Sequence, residues 1–382
     1  MRTVALDVTR IVGRALKGRL PTGIDRVGLA YVEHFETPAR ALLRLGNAPV
    51  LATRDSTRRL FAQLLETRSD AGRSRLKLLE AASRLVPDLT AHDPAVLVHT
   101  GHGGLERPDF LRRWRKSGGA VVSFVHDLIP LTHPEFARPG EREKHDARMR
   151  SALASSELVL VNSAATERAL RSHATLVGLT PPRIVVAHLG VKPLPTPATA
   201  RLVPAPYFVT VGTIEARKNH LLLLQLWRRM VETLGSATPK LLVVGQRGWE
   251  CENVIDLLER CEALRDVVIE VPDASDADLA TYMHYAQALL FPSFVEGYGL
   301  PLVEALSAGV PVIASDLEVF RELAGSRPTY LDPLDGLGWL RAITSVASPA
   351  RGPHDRAHLQ PFSAPRWSDH FAIVDAALES IP

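Results

Sequence analysis

FPSFVEGYGLPLVEALSAGVPVIASD, residues Phe291 to Asp316, contains two apolar runs with a glycine-rich turn and an amphipathic stretch between them. The run ALLFPS predicts a strand that ends at the turn, and VPVIAS predicts the next strand. Pro301 followed by LVEALSAG predicts a helix with proline at its first position and glycine at its end. The turn holds Glu296, and the first turn of the helix, or the position just beyond it, holds Glu304.

Two carboxylates beside the start of a helix suit a particular kind of ligand. The N-terminus of a helix carries N–H groups and a partial positive charge that attract phosphates, while carboxylates accept hydrogen bonds from hydroxyl groups. The combination predicts a ligand with both phosphates and hydroxyls. Each residue alone also has a structural interpretation, because a glutamate can complement the helix dipole, and Gly297 and Gly299 can simply form the turn.

The same alternation of apolar run, turn and amphipathic stretch extends over the rest of the chain. It is interrupted by KPLPTPATARLVPAP, Lys192 to Pro206, whose five prolines predict a linker. Before the linker the predicted strands are TVALDV, AVLVHT, GAVVSFVHD, ELVLVNS and RIVVAHLG. After it they are PYFVTVGT, KLLVVGQ, DVVIEV, ALLFPS, VPVIAS and TYLDP. Continuous apolar strands separated by helices predict parallel sheets that are covered on both faces.

This order predicts an α/β fold of two tandem, Rossmann-like, doubly wound domains. The first covers residues 1–198 and the second residues 205–365. A final helical pattern, about residues 366–382, is expected to pack back on the first domain. Ligands of doubly wound sheets bind beyond the carboxyl ends of the strands, so each strand end is a candidate site.

Composition and length agree with a two-domain cytoplasmic protein. The chain has 382 residues, too many for one ordinary core, and 46% hydrophobic and 23% charged residues are typical of soluble globular proteins. The first residues, MRTVALDVTR, lack the apolar core and cleavage site of a signal peptide. The two cysteines, Cys251 and Cys261, are too few for a disulfide framework or a four-ligand zinc site.

Charge is divided unevenly between the halves. Residues 1–200 hold 30 Lys and Arg against 19 Asp and Glu, a net charge of +11, whereas the remainder has a net charge of −8. A basic half predicts contact with a membrane surface, a polyanion or a phosphate-bearing substrate, unless its charges form only a solvated face. The segments Arg112 to Lys116 and Arg54 to Leu85 are candidates for an anionic membrane surface, with Trp114 and leucines at the interface. Nucleic acid is not expected, because no helix-turn-helix, zinc module or aromatic-interleaved strand accompanies the charge.

A pair of cations opens the second domain. In YFVTVGTIEARKNH, a predicted strand runs into a turn that carries Arg217 and Lys218 just before a long apolar helix. Two adjacent cations at a strand end are suited to a diphosphate, because arginine forks over two oxygens and lysine acts as a point charge. Taken alone, a surface Arg–Lys pair is more often solvated than functional.

Together these motifs resemble the retaining glycosyltransferases of family 4, whose GT-B architecture has two Rossmann-like domains facing each other across a cleft. The resemblance rests on EGYGLPLVEA, GTIEARKNH, GVPVIASDLEVFRELAG and YLDP, and it covers essentially all of residues 205–335. In the first domain it rests on TGIDRVGLAY (Thr22 to Tyr31), FVHDLIPLTHPEF (Phe124 to Phe136) and LVNSAATERAL. These three are most similar to bacterial capsule and O-antigen sugar transferases, often mannosyltransferases.

The resemblance implies a role for each matching residue. Arg217 and Lys218 would hold the diphosphate of a sugar nucleotide and stabilise it as the leaving group. Glu304 would bind the ribose hydroxyls, and Glu296 would bind hydroxyls of the donor sugar. His126 would lie near the anomeric carbon, unless it is only a hydrogen-bonded structural residue. The implied donor-binding residues also include Gly23, Gly212, Gly297, Tyr298, Gly299 and Leu300.

The implied reaction transfers a hexose, with mannose favoured, from a nucleotide diphosphate sugar such as GDP-mannose. The acceptor would be a glycan or a polyprenyl-linked oligosaccharide of bacterial surface polysaccharide synthesis. Its hydroxyl would attack from the face that the diphosphate leaves, and a phosphate oxygen would take its proton. No metal or other cofactor is expected, and peripheral association with the inner face of the cytoplasmic membrane is a hypothesis.

Two other functional classes share these features. One is an enzyme of the same architecture, such as a sugar synthase or a sugar-nucleotide epimerase. The other is a non-catalytic nucleotide-sugar-binding or scaffold protein. The chain length argues mildly against the synthase, and the paired glutamates argue against the epimerase.

Two further pairs of side chains resemble metal ligands but are interpreted as structural. Asp276 and Asp278 mimic the acidic metal-binding pair of other glycosyltransferases, but they follow a serine and predict the cap of a helix. His99 and His102 in HTGHGG lack a third metal ligand nearby in sequence and predict a loop lining the interdomain cleft.

Overall fold

A computed structural model of the protein describes residues 3–18, 21–45, 48–66, 71–88, 95–347 and 361–381. The chain divides into two compact units. Unit 1 comprises Met1–Gly190 together with Trp367–Pro382, and unit 2 comprises Val191–Arg366.

Unit 1 is built on a sheet with helices in the connections between its strands. The strands are β1 (Val4–Asp7), β2 (Ala39–Leu45), β3 (Ala48–Leu51), β4 (Val96–His99), β5 (Ala120–Val125), β6 (Leu158–Val161) and β7 (Arg183–Val186). The helices are α1 (Thr9–Leu16), α2 (Gly23–His34), α3 (Arg54–Glu66), α4 (Ala71–Ser83), α5 (Pro108–Lys116), α6 (Ile129–Thr132), α7 (Glu141–Ser155) and α8 (Ala164–Leu176). The strand order is β3-β2-β1-β4-β5-β6-β7, with every pair parallel except β2–β3.

Unit 2 repeats this plan with an entirely parallel sheet. The strands are β8 (Tyr207–Val211), β9 (Lys240–Val244), β10 (Val268–Val271), β11 (Leu289–Phe291), β12 (Val312–Ser315) and β13 (Thr329–Leu331). The helices are α9 (His220–Leu234), α10 (Glu252–Arg260), α11 (Asp276–Tyr285), α12 (Leu300–Ser307), α13 (Glu318–Ala324) and α14 (Gly336–Val346). The strand order is β10-β9-β8-β11-β12-β13.

In both sheets the order in which strands are added reverses direction at an equivalent place. The chain leaves β1 toward one edge of its sheet and returns to add β4 on the other side, and β8 and β11 have the same relation. Each pair is therefore a topological switch point, where the carboxyl ends of the strands leave a crevice for ligands. The core of unit 2 contains the fully buried side chains of Trp227 and Trp339.

The last helix, α15 (Trp367–Glu379), belongs to unit 1. Phe371 stacks on His34 with ring centroids 3.9 Å apart. The buried His370 ring accepts a hydrogen bond from the Tyr31 hydroxyl, with Nε2 and Oη 3.0 Å apart, because its Nδ1 faces the carbonyl oxygens of residues 187 and 188. These contacts fix α15 against α2.

The predicted α/β, doubly wound class is confirmed, and all six predicted strand runs of the second domain form strands. In unit 1, strands β2 and β3 were not predicted. The run of β2, ARALLRL, is interrupted by arginines and rich in helix-forming leucine, and β3 is an antiparallel edge strand containing Pro49, which suits an edge position. The prediction of purely parallel sheets was therefore wrong for this edge.

The proline-rich segment Lys192 to Pro206 forms neither helix nor strand and lies in unit 2. The backbone N–H of Ala198 donates to the Thr281 hydroxyl over 3.0 Å, and the Tyr285 hydroxyl donates to the Thr199 carbonyl over 2.9 Å. The segment is thus fastened to α11, so the division between the units falls at residues 190 and 191, before the prolines.

Across the described ranges, none of the helices combines the length and apolar character needed to cross a lipid bilayer.

Candidate active site

The carboxyl end of β8 places two cations at the unit 2 switch point. Gly212 follows the strand with a φ of 141°, a conformation that favours glycine. A short 3₁₀ turn, Ala216–Lys218, then carries Arg217 and Lys218, and Asn219 with a φ of 56° starts α9. The Asn219 amide donates to the Pro333 carbonyl over 3.0 Å, which fixes the start of the helix.

Both cations form ion pairs with the carboxylate of Glu296. Arg217 Nη1 lies 2.8 Å from Glu296 Oε2, and Lys218 Nζ lies 2.5 Å from Glu296 Oε1. The Ser293 hydroxyl donates to the same Oε1 over 2.8 Å. Only 8% of the Glu296 side chain and 10% of the Lys218 side chain are exposed. The two sequence motifs, 79 residues apart, therefore form one buried ionic cluster.

Further contacts hold the cluster in place. The backbone N–H of Phe294 donates to the Arg217 carbonyl over 2.8 Å and ties the β11 loop to the β8 loop. Arg217 Nε also donates to Glu215 Oε2 over 3.1 Å. Lys218 Nζ lies 4.7 Å from the centroid of the Phe291 ring, within the range of a cation–π contact.

The ion pairs set the protonation state of the cluster. Burial alone would raise the pKa of Glu296, but Arg217 and Lys218 lower it to about 2. Burial lowers the pKa of Lys218, and the Glu296 carboxylate opposes that shift. Glu296 is consequently ionised at neutral pH, so it can accept hydrogen bonds or stabilise positive charge, but it cannot donate a proton.

The turn before α12 requires glycine at one position. Gly299 precedes the helix with a φ of 115°, and a Cβ there would lie 2.7 Å from Cε1 of Phe320. The helix starts at Leu300, so Pro301 occupies the second position and not the predicted first. Leu302 and Val303 donate their N–H groups to the Gly299 carbonyl. Since proline has no N–H, only the backbone ahead of Pro301 can offer N–H groups to a ligand.

The other donor-binding candidates of unit 2 lie around this cluster. Glu304 is a buried residue of α12, and Tyr298 is a buried residue of the turn, beside Gly297. A Cβ on Gly212 would lie 3.3 Å from Cε of Lys218, so this glycine gives the lysine side chain room. Their roles toward a nucleotide sugar stay predictions.

His126 lies at the equivalent edge of unit 1, just after β5, and is buried. Its Nε2 donates to the Thr100 carbonyl over 2.7 Å, which leaves Nδ1 as the acceptor of the ring. Its backbone N–H donates to His102 Nε2 over 3.0 Å, and its carbonyl accepts from the Asn162 amide over 2.9 Å. The proposed contact of His126 with a donor sugar stays a prediction.

Three imidazoles cluster at this edge. The His102 ring centroid lies 5.3 Å from that of His126 and 5.0 Å from that of His145. Burial lowers the pKa of His126 to about 4 and lowers those of His102 and His145 as well. All three are therefore neutral at pH 7. Among the residues described, no group of three or more His, Cys, Asp and Glu side chains is arranged to hold a metal ion.

Two family models match the chain in succession. The model of Glycosyltransferase Family 4 matches residues 32–193, and that of Glycosyl transferases group 1 matches residues 199–329. The serotype-specific mannosyltransferase WbdA of Escherichia coli is 30% identical over 237 residues, which are 56% of this chain and 28% of the relative. The O-antigen chain mannosyltransferase B of Escherichia coli is 31% identical over 229 residues, which are 56% of this chain and 58% of the relative. The chain therefore consists of two successive glycosyltransferase domains, a family 4 domain followed by a group 1 domain.

The fold agrees with these two domain matches. The crystal structure of Anabaena HepE in complex with UDP and glucose is similar over 100% of both chains, with a TM-score of 0.68 and 14% identity. At this identity the likeness shows the two-domain GT-B fold alone. The chain spans less than a third of WbdA and somewhat more than half of mannosyltransferase B. The family resemblance predicted from EGYGLPLVEA and GTIEARKNH is thus confirmed.

In unit 1 the stretch TGIDRVGLAY forms the N-cap and most of α2. Gly23 is the exposed first residue of that helix. Asp25 is buried and caps the helix through the Thr22 hydroxyl and N–H. Arg10 Nε and Arg14 Nε lie 2.9 and 2.7 Å from the Asp25 carboxylate. The close approach of Gly23 to a diphosphate stays a prediction.

Several polar contacts of unit 1 were not predicted from the sequence. His145 lies on α7, and nothing in its local sequence links it to His102. His99 was singled out only with His102, yet its Nδ1 lies 2.8 Å from Asp7 Oδ2, and Arg44 Nε lies 2.8 Å from the same oxygen. Asp7 and His99 each end a strand, and the adjacency of β1 and β4 was the signal that could have paired them.

Two other interpretations are settled by the structure. Ser275 caps α11, and Asp278 completes its capping box, so the predicted helix cap is confirmed. The predicted placement of Trp114 at a lipid interface is wrong. Its Nε1–H faces the carbonyl oxygens of Ala95 and Ala120 at 3.2 and 3.1 Å, and its ring packs against the unit 1 core.

Proposed function

We propose that the protein is a retaining, metal-independent glycosyltransferase that moves a hexose from a nucleotide diphosphate sugar to a glycan or lipid-linked acceptor. Bacterial surface polysaccharide synthesis is the proposed process. The observation that carries the proposal is the buried contact of Arg217 and Lys218 with Glu296 at the carboxyl end of a doubly wound sheet.

The cations of this cluster suit a diphosphate leaving group. Negative charge grows on the diphosphate as the bond to the sugar breaks, and fixed cations stabilise it without reorganisation. Arg217 and Lys218 are already held by Glu296 and by the β11 loop, so little reordering is needed when the ligand binds. The start of α12 adds the positive end of a helix dipole.

Glu296 has a complementary role in the proposal. Because its carboxylate stays ionised, it accepts hydrogen bonds from sugar hydroxyls and favours positive charge on the reacting sugar ring. Because its pKa of about 2 makes the Glu296 carboxylate a weak base, the proposal assigns proton transfer to the diphosphate, whose oxygen takes the proton of the acceptor hydroxyl. That route predicts attack from the face that the diphosphate leaves, and hence retention.

Mannose is the proposed sugar, supplied as GDP-mannose, because the names of both Escherichia coli relatives are those of mannosyltransferases. His126 is proposed to accept a hydrogen bond from a sugar hydroxyl through Nδ1, since its Nε2–H already donates to Thr100. A neutral imidazole suits a neutral hydroxyl.

The test is donor-dependent release of nucleoside diphosphate from a panel of GDP-, UDP- and TDP-sugars, with and without EDTA and with lipid-linked and free glycan acceptors. The proposal expects turnover of GDP-mannose that EDTA does not reduce, and proton NMR of the product should show the anomeric configuration of the donor. Inversion, or dependence on a divalent metal, would refute the mechanism. Binding of a nucleotide sugar without turnover would favour a binding protein.

We also propose peripheral binding to anionic membranes through the exposed apolar side of α4. Leu76 and Leu79 are 75% and 53% exposed, and Val86 after the helix is 52% exposed. Arg84, just after the helix, contributes less than the sequence suggested, because it pairs with Glu80 over 2.7 Å. Residues 67–70 of this segment lie outside the described residues. Apolar side chains in a basic unit suit the boundary between headgroups and acyl chains.

Sedimentation with vesicles containing anionic lipid tests this surface. The double variant Leu76→Ser, Leu79→Ser should lose vesicle binding and keep turnover of a water-soluble acceptor. The matched control is Leu176→Ser, since Leu176 is 83% exposed at the end of α8. Equal losses in both variants, or no binding by the unmodified protein, would refute the proposed surface.

A further inference from the structure

The loop after β9 runs directly along the loop after β8. The backbone N–H of Ile214 donates to the Gln246 carbonyl over 2.9 Å, and that of Gly248 donates to the Ile214 carbonyl over 3.0 Å. Ile214 and Arg247 form a parallel bridge. Pairing of β8 with β9 thus continues beyond the strands, toward the side where ligands bind.

Two glycines permit this close approach. Gly245 has a φ of 149°, and a Cβ on it would lie 2.2 Å from the Gly212 carbonyl oxygen. A Cβ on Gly248 would lie 2.7 Å from the Ile214 carbonyl oxygen and 2.9 Å from Cγ of Glu215. Any side chain at either position would push the two loops apart.

This contact leads to the ionic cluster. Glu215, which lies against Gly248, accepts a hydrogen bond from Arg217 Nε over 3.1 Å. Arg217 in turn contacts Glu296 over 2.8 Å. The strands that carry these groups are neighbours in the order β11, β8, β9, so about 10 Å separate β11 from β9 at two strand spacings. A nucleoside diphosphate anchored by its phosphates on β8 is long enough to reach β9.

The residue that follows Gly248 is Trp249, a partly buried side chain. The loop on which it sits is fixed, because Arg247 forks over the Glu270 carboxylate with Nε and Nη2 at 2.8 and 2.9 Å. Directly after Trp249, Glu250 adopts a φ of 48° and turns the chain into α10. An indole on such a loop loses little side-chain entropy on binding, because tryptophan has only two rotatable side-chain bonds.

We propose that Trp249 is the platform on which the nucleobase of the donor stacks. The inference rests on the proposed function, because it takes the diphosphate to lie on Arg217 and Lys218. Every nucleobase has a π-face, so stacking contributes affinity without selecting the base. Selection among guanine, uracil and thymine is then left to the surrounding backbone.

Titration calorimetry with GDP, UDP, dTDP and inorganic pyrophosphate tests the platform. Trp249→Ala should weaken binding of the preferred nucleoside diphosphate by about 5- to 150-fold and leave pyrophosphate affinity unchanged. Trp249→Phe, which keeps an aromatic face, should retain most of the affinity, and Trp249→Leu should resemble the alanine variant. The control is Trp367→Phe on α15 of unit 1, which should bind every ligand like the unmodified protein.

The outcomes separate this inference from the function on which it rests. Unchanged nucleoside diphosphate affinity in Trp249→Ala would place the base elsewhere and leave the proposed function intact. Equal loss of pyrophosphate and nucleotide affinity would show that Trp249 only supports the loop, which would also overturn the inference. If the unmodified protein binds no nucleoside diphosphate, both proposals fail.

Discussion

The carboxyl ends of the two sheets carry different kinds of buried polar group. In unit 2 the edge holds ions, with Arg217 and Lys218 joined to a carboxylate whose pKa is about 2. In unit 1 the edge holds His102, His126 and their neighbour His145, whose pKa values are lowered by burial. We call the ionic cluster of unit 2 the charged edge and the imidazole cluster of unit 1 the neutral edge, which lies in the same sheet as a separate ion pair between Asp7 and Arg44.

The difference follows from what each edge is proposed to bind. A diphosphate leaving group needs fixed positive charge, whose stabilising effect grows in a buried site. A sugar hydroxyl needs only a well-placed donor or acceptor, and a neutral imidazole provides both. In the proposed mechanism, stabilisation of the leaving group therefore belongs to unit 2, and His126 of unit 1 adds a neutral contact to a sugar hydroxyl beside that of Glu296.

The largest effect should come from removing a cation at the charged edge. We expect Lys218→Ala and Arg217→Ala each to lower the rate of nucleoside diphosphate release by about 10²–10³-fold, because each removes transition-state stabilisation. The control is Arg321→Ala, an exposed cation of unit 2 that is paired with Asp316 over 2.8 Å. Steady-state kinetics measure both, and a Lys218→Ala enzyme as fast as the control would contradict the role of the cluster.

A smaller effect is expected from the backbone packing beneath that edge. Gly245→Ala places Cβ against the Gly212 carbonyl oxygen at a φ of 149°, so we expect it to lower the free energy of unfolding by about 1–3 kcal/mol. Gly140→Ala in unit 1 is the control, because Gly140 also has a positive φ, of 77°, but no atom within 4 Å of the added Cβ. Urea unfolding compares the two variants. Equal losses would show that φ alone matters and that the loop contact does not.

The smallest effect per residue should be the loss of folding stability at low pH that each buried histidine causes, and this loss should differ between the units. Burial lowers the folded-state pKa of five histidines in unit 1 but of one in unit 2 among the residues described. Those of unit 1 are His102, His126, His145, His173 and His370, and that of unit 2 is His220.

The direction of this pH dependence follows from linkage. Below the unfolded-state pKa of about 6.5, the unfolded chain binds more protons than the folded one. Each histidine therefore makes its full contribution to the free energy of unfolding above that pH. The contribution is lost as the pH falls, by at most about 1.4 kcal/mol per pH unit. For His126 the loss ends near its folded pKa of about 4, whereas Glu296 loses its contribution only between its ordinary pKa of 4.5 and about 2.

Hydrogen exchange followed by mass spectrometry, corrected for the intrinsic rate at each pH, measures this difference. Between pH 7 and pH 5, unit 1 peptides should lose protection before unit 2 peptides do. His145→Gln should reduce the pH dependence of unit 1, and His220→Gln should leave it unchanged. Loss of protection in unit 2 first would contradict the contrast between the edges.

The sequence predicted the charged edge better than the neutral one. Arg217, Lys218 and Glu296 lie in compact motifs at strand ends, so their candidacy needed only local patterns. Their mutual contact was not predictable locally, because it depends on β8 and β11 being neighbours while β9 and β10 extend the other side of the sheet. The three histidines of the neutral edge come from separate parts of the chain, after β4, after β5 and on α7. Nothing in the local sequence of His145, the residue on α7, indicates that it joins the other two.

The environment of individual side chains was the other feature that could not be predicted from the sequence. RRWRK has the composition of a membrane-binding segment, yet the indole of Trp114 turns inward to the carbonyl oxygens of two strands. Helix α5 has one side against the sheet, and composition alone does not tell which residues occupy that side. Strand β2 was missed for a similar reason, since only pairing with β1 favours an extended ARALLRL.

The most direct test of the division between charged and neutral edges is a crystal structure of the protein with GDP bound. The account predicts diphosphate oxygens within hydrogen-bonding distance of Lys218 Nζ and of the Arg217 guanidinium, at the carboxyl end of β8. A diphosphate bound beside His126 at the unit 1 edge, with the Arg217 and Lys218 side chains still contacting only protein, would contradict it.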